Sequence, residues 1–96
     1  MKLTQAQIKK LRAAAHSLKP VVLIGKNGTS DSVLKDINLK LDQHELIKIK
    51  ISSDDQESFQ SMVKEIDENT MGSIIQKVGH TVIYFRKHPE KSKFNF

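Results

Sequence analysis

The chain predicts an α/β fold: a single small domain with a four-stranded mixed sheet, in the order helix-strand-helix-strand-helix-strand-strand. Three observations lead there. Apolar residues recur at helical spacing in three stretches, and a short strand-like run follows each. Two successive strand-helix-strand connections make the first three strands parallel by the right-handed crossover rule. Gly79-His80 then separates two strand-like runs with the two-residue, glycine-first signature of a hairpin, which turns the fourth strand antiparallel.

Thr4 and Gln7 form a capping box at the start of the first helix, with Leu3 placed to staple onto Ile8. Ile8, Leu11, Ala15 and Leu18 mark its core face, Lys9, Arg12 and His16 form a polar stripe beside it, and Lys10 lies further round. Pro20 forces Lys19 out of the α region and ends the helix. Val21 to Ile24 follow as a strand that is apolar at every position, which predicts cover on both faces, the second supplied by the first helix.

Thr29, Ser30 or Asp31 caps the second helix, whose buried stripe is Val33, Leu34, Ile37 and Leu41. Glu45 to Ile51 is the second strand, with Ile47, Ile49 and Ile51 on one face and Leu46, Lys48 and Lys50 on the other. Ser53 or Asp54 caps the third helix, and Phe59, Met62, Val63 and Ile66 form its core stripe. Asp67 and Glu68 sit against the dipole at its far end, with no reason visible in the pattern. Ser73 to Val78 and Thr81 to Arg86 are the remaining strands, the last apolar on both sides and therefore central. Residues 1–88 form the domain, and residues 89–96 are expected to be a basic, flexible tail.

Composition narrows the function. A chain of 96 residues with no cysteine excludes disulfides and thiolate metal sites and suits a reducing, cytoplasmic setting. No apolar run approaches the roughly 20 residues of a membrane span, so no membrane partner is expected. The net charge of +5 is segregated: residues 1–50 carry +6, residues 51–70 carry −5 and residues 71–96 carry +4. A basic face of this kind favours RNA, DNA or another anionic surface.

The stretch that gives the charge a purpose is Gly25-Lys26-Asn27-Gly28, set between an apolar strand and a helix N-terminus. Backbone N–H groups there, with the positive end of a helix dipole, suit an anion. A P-loop needs lysine after the second of two glycines separated by four residues, whereas Lys26 lies between glycines separated by two. The spacing matches instead the G-x-x-G loop with which KH domains clamp a nucleic-acid backbone. The four histidines show no metal-ligand spacing, and no poised acid–base pair is visible, so neither a metal, a cofactor nor an enzyme is expected. Phe59, Tyr84 and Phe85 fall at core positions, which argues against a stacking platform and for recognition of backbone and shape.

Three segments together resemble the CRM domain family, and within it the single-domain bacterial YhbY type. They are Leu18 to Gly28, His44 to Lys50 and Gly79 to Arg86. The resemblance implies a fold like the C-terminal domain of translation initiation factor three and binding to RNA in precursors of the large ribosomal subunit. It places RNA contact on Gly25, Lys26, Asn27 and Gly28, and less directly on Arg86. Charge and face add Lys9, Lys10, Arg12, Lys19, Lys48 and Lys50. The expected protein is a non-catalytic, monomeric rRNA-binding domain. A second reading is a protein-interaction module whose acidic third helix, through Glu65, Asp67 and Glu68, docks a basic ribosomal protein.

Overall fold

The computed structural model describes residues 2–25 and 28–94. Its elements are α1 (Gln5–Ala15), β1 (Val22–Ile24), α2 (Asp31–His44), β2 (Leu46–Ile51), α3 (Gln56–Thr70), β3 (Ser73–Val78) and β4 (Thr81–Phe85). The strands form one sheet in the order β1-β2-β4-β3. β1 and β2 are parallel, and β4 is antiparallel to both its neighbours, so β1, β2 and β3 share a direction, as the crossover rule requires. The β3–β4 link is the two-residue turn expected, with Val78 paired to Thr81 and Gly79 at φ 59.

The sheet separates two cores. On one face Val22, Ile24, Ile47, Ile49, Ile51, Val82 and Tyr84 pack under α2 and α3 against Ile37, Leu41, Phe59, Val63 and Ile66. On the other, α1 brings Leu11 and Ala15 onto Leu46, Ile75, Ile83 and Phe85. A register shift between Ile74 and Gln76 puts Ile75 and the following Gln76 on the same, α1-facing side of the sheet, which strict period-2 alternation could not do, while Ile74 serves the other core. Thr4 and Gln7 do form the reciprocal capping box, and Leu3 and Ile8 each pack against the smaller core.

Several expectations are corrected. α1 stops at Ala15, four residues before Lys19, and closes with tight turns from His16 N–H to Ala13 O and from Leu18 N–H to Ala15 O. Leu18 is consequently exposed. β1 is an edge strand whose outer face α1 does not reach, so Leu23 is 70% exposed instead of covered. The cap of α3 is Asp55, which accepts a 2.7 Å hydrogen bond from Ser58 N–H. That bond, with the Ser58 hydroxyl, holds the Asp55 carboxyl below its ordinary value.

Two polar clusters tie the end of the sheet remote from the glycine loop. The Arg86 guanidinium donates to Asn38 Oδ1 (2.6 Å), Asn38 O (3.1 Å), Thr70 O (2.8 Å) and Asp42 Oδ1 (2.9 Å). It therefore supplies the positive charge that the last turn of α3 lacks. The Tyr84 hydroxyl accepts from Gly72 N–H at 2.8 Å, lies 2.8 Å from Thr70 Oγ1 and donates to Asp67 Oδ1 at 3.2 Å. Asp67 thus has a structural partner that compensates its unfavourable place on the helix.

Glu45 is 2% exposed and ends α2 with a positive φ of 66. Its carboxylate accepts from the backbone N–H groups of His88 (2.9 Å) and Lys93 (2.6 Å). Beyond Pro89, Phe94 packs edge-on against Phe85 with ring centres 5.3 Å apart.

Candidate nucleic-acid interface

The glycine loop is held from behind by backbone hydrogen bonds. Ile24 O accepts from Ser52 N–H at 2.8 Å, and Ile51 N–H donates to His80 O at 2.8 Å, so the loop, the end of β2 and the hairpin share one rim. Gly28 N–H donates to Gly25 O at 3.0 Å, closing a four-residue turn. Gly28, at φ 69, needs the freedom of glycine, whereas Gly25 does not adopt a positive φ. A Cβ at either would meet nothing within 4 Å, so both present open backbone to an approaching ligand. Lys26 and Asn27, the residues between them, lie outside the described residues.

The loop stands on a boundary between two charged surfaces. On the α1 side of the sheet, Arg12, His16, Lys48, Gln76, Val78 and Thr81 line a groove floored by Ile83, with no acidic residue among them. Lys50 adjoins it, in register with Leu23 on β1 and Thr81 on β4. Lys9 is one turn before Arg12 on the same exposed flank of α1. The groove exists because α1 covers only half of this face, leaving Lys48 and Lys50 with solvent above them. These four basic residues and the loop are what the fold brings together.

Other candidates fall elsewhere. Lys10, one residue beyond Lys9, is turned about 100° around the helix from it. Lys19 borders a separate apolar groove with Leu18, Val21, Leu46, Lys93 and Phe94. Arg86, on which the resemblance places RNA contact, sits at the opposite end of the domain with its guanidinium clamping α2 to α3.

On the other side of the loop the surface is acidic. Gly28 and Thr29 share a cleft with Asp55, Glu57 and Glu65, and the Thr29 hydroxyl donates to the Glu65 carboxylate. Ser30 caps α2 through Val33 N–H, and Asp31 occupies its first turn. These groups offset the positive end of the α2 dipole, so an anion is directed toward the basic sheet face and not over the helix start. Sequence reasoning missed Thr81, Gln76 and the groove position of His16. Their signal lies in strand order, which a period-2 pattern does not encode. Among the described residues no group of His, Asp and Glu is arranged to hold a metal ion, and no helix is long and apolar enough to cross a membrane.

The model of the CRS1/YhbY (CRM) domain matches residues 3–86. The chain belongs to the CRM domain family. Its relatives include "Probable RNA-binding protein PA4753" of Pseudomonas aeruginosa, 31% identical over 97% of this chain and 89% of the relative. An "RNA-binding protein" of Haemophilus influenzae is 38% identical over 83% of this chain and 81% of its own length. The solution structure of SAV1595 from Staphylococcus aureus superimposes with a TM-score of 0.81, at 26% identity, over 98% of both chains. The CRM match therefore spans α1 to β4, and Glu45 ties segment 87–94 onto it from within.

Proposed function

We propose that this CRM domain binds structured RNA by its phosphate backbone and acts in assembly of the large ribosomal subunit. One observation carries the reading: Arg12, Lys48 and Lys50 lie on an acid-free sheet face beside a glycine loop whose backbone is open to approach. Gly25 and Gly28 let phosphates come close, Lys26 pairs with them and Asn27 donates hydrogen bonds. Lys9, Arg12, Lys48 and Lys50 hold neighbouring phosphates, giving affinity with little sequence information. Lys10 and Lys19 lie outside this set. The RNA-binding names of the relatives support the partner class.

Filter binding to structured fragments of large-subunit rRNA across a salt series tests this. With Lys26, Lys9, Arg12, Lys48 and Lys50 each on a phosphate, log K falls with log salt at a slope of about −3.5 to −4.5. Gly25→Glu with Lys26→Glu abolishes binding at moderate salt. An affinity indifferent to salt and to that double change would overturn the reading.

A further inference from the structure

We infer that the open half of the sheet takes unpaired nucleotides of RNA, with bases lying against Leu23 and Val78 while Lys48, Lys50 and Arg12 hold the flanking phosphates. This rests on the RNA-binding reading and adds to it the strandedness of the RNA. Leu23 and Val78 are 70% and 55% exposed, both on the face that α1 leaves uncovered. Strand register arranges them with the cations. Leu23, Lys50, Thr81 and Val78 form one row across all four strands. At about 4.8 Å per strand the row is about 14 Å wide. The backbone bond from Val21 N–H to Lys48 O extends the β1–β2 pairing, so Val21, Lys48, Ile83 and Gln76 form a second row.

The alternation selects the occupant. An apolar protein surface seated here would bury Lys48 and Lys50 with no counter-charge, since no acid lines the groove. Nucleic acid brings a phosphate for each lysine. A paired RNA helix would offer these aliphatic side chains only sugar and phosphate, because its base faces are stacked inside. Unpaired nucleotides expose those faces, and so match both halves of the pattern.

The test compares two probes by fluorescence anisotropy at one salt concentration: a 12-nucleotide oligouridylate and a 12-base-pair blunt RNA duplex. Leu23→Ser with Val78→Ser is expected to weaken oligouridylate binding about tenfold, as loss of buried aliphatic area implies, and duplex binding less than twofold. Leu23→Phe, which enlarges the apolar surface on a strand that tolerates aromatics, strengthens the oligouridylate alone. Lys48→Ala with Lys50→Ala weakens both probes. Circular dichroism melts confirm that the variants remain folded. If the apolar variants change both probes equally or neither, the base-contact inference fails while the backbone reading stands, and an apolar protein partner becomes the better occupant. If the lysine variants change neither probe, the backbone reading itself fails.

Discussion

Glu45 Oε1 and the backbone N–H of Lys93 meet at 2.6 Å, joining the end of α2 to a segment 48 residues later in the chain. Burial alone would raise the Glu45 carboxyl, but the Ser92 hydroxyl, the N–H groups of Lys93 and His88, and the charge of His88 outweigh it and hold it below 4.5. The unfolded chain titrates at the ordinary value, so this stabilisation is complete above that value and is lost as pH falls through the lower, folded one. Thermal melts should therefore show a midpoint that is steady from about pH 7 to 5.5 and declines below about pH 4.5. In Glu45→Gln the acid decline is smaller and the midpoint at neutral pH is already reduced. Glu45→Ala, which leaves two N–H groups without their acceptor, costs about 2–4 kcal/mol by denaturant unfolding.

Arg86 is expected to matter for stability and not for RNA. Arg86→Ala strips a charged donor from Thr70 O, Asn38 and Asp42, costing about 2–4 kcal/mol. Arg86→Lys recovers only part of this, because an ammonium cannot reproduce the planar fork. For this folded variant, the slope of log K against log salt should equal that of the wild type. A slope reduced by about one phosphate contact would restore Arg86 to the interface.

Neutralising the sheet face should act uniformly on RNA of different sequence. Arg12→Ala, Lys48→Ala and Lys50→Ala together lower the magnitude of the salt slope by about 2–3, with little change in preference among sequences. Lys10→Ala, on the other flank of α1, serves as the control that leaves the slope unchanged.

Glycines divide into three classes by measurable cost. At Gly72 a Cβ would lie 2.6 Å from Tyr84 Cε2 and 2.7 Å from Phe85 O, and a shift would also break the Gly72 N–H bond to the Tyr84 hydroxyl. Gly72→Ala is therefore expected to cost about 1–3 kcal/mol. Gly28→Ala meets no atoms but forces alanine to φ 69, at about 1–2 kcal/mol. Gly25→Ala should leave stability within about 0.5 kcal/mol. Any loss of RNA affinity in that last variant isolates the need for backbone approach at the loop.

Local signals made most of the fold legible in the sequence. The Thr4–Gln7 box, the Gly79-His80 turn and the isoleucine alternation of β2 act between near neighbours, and each forms as read. Leu23 was misjudged because an all-apolar strand usually means two-sided cover, and only the sheet order reveals β1 as an uncovered edge. Asp67 and Arg86 give no local sign of their structural partners, for a related reason. Tyr84 and Thr70, those partners, lie 17 and 16 residues away in the sequence. Of the interface, the loop was visible as a string and Lys48 and Lys50 as one strand face. Their meeting with Arg12 depends on how far α1 extends, and that is set by packing.

Arg86 also bears on how the domain opens. One guanidinium holds the carbonyl of Asn38 in α2 and that of Thr70 in α3, so neither helix can lift from that end without releasing the other. Amides in the last turns of α2 and α3 should then exchange with deuterium at a common opening free energy, as one cooperative unit. α1, which shares no bond with Arg86, would open separately, exposing the rest of the sheet floor while the layer behind it stays closed.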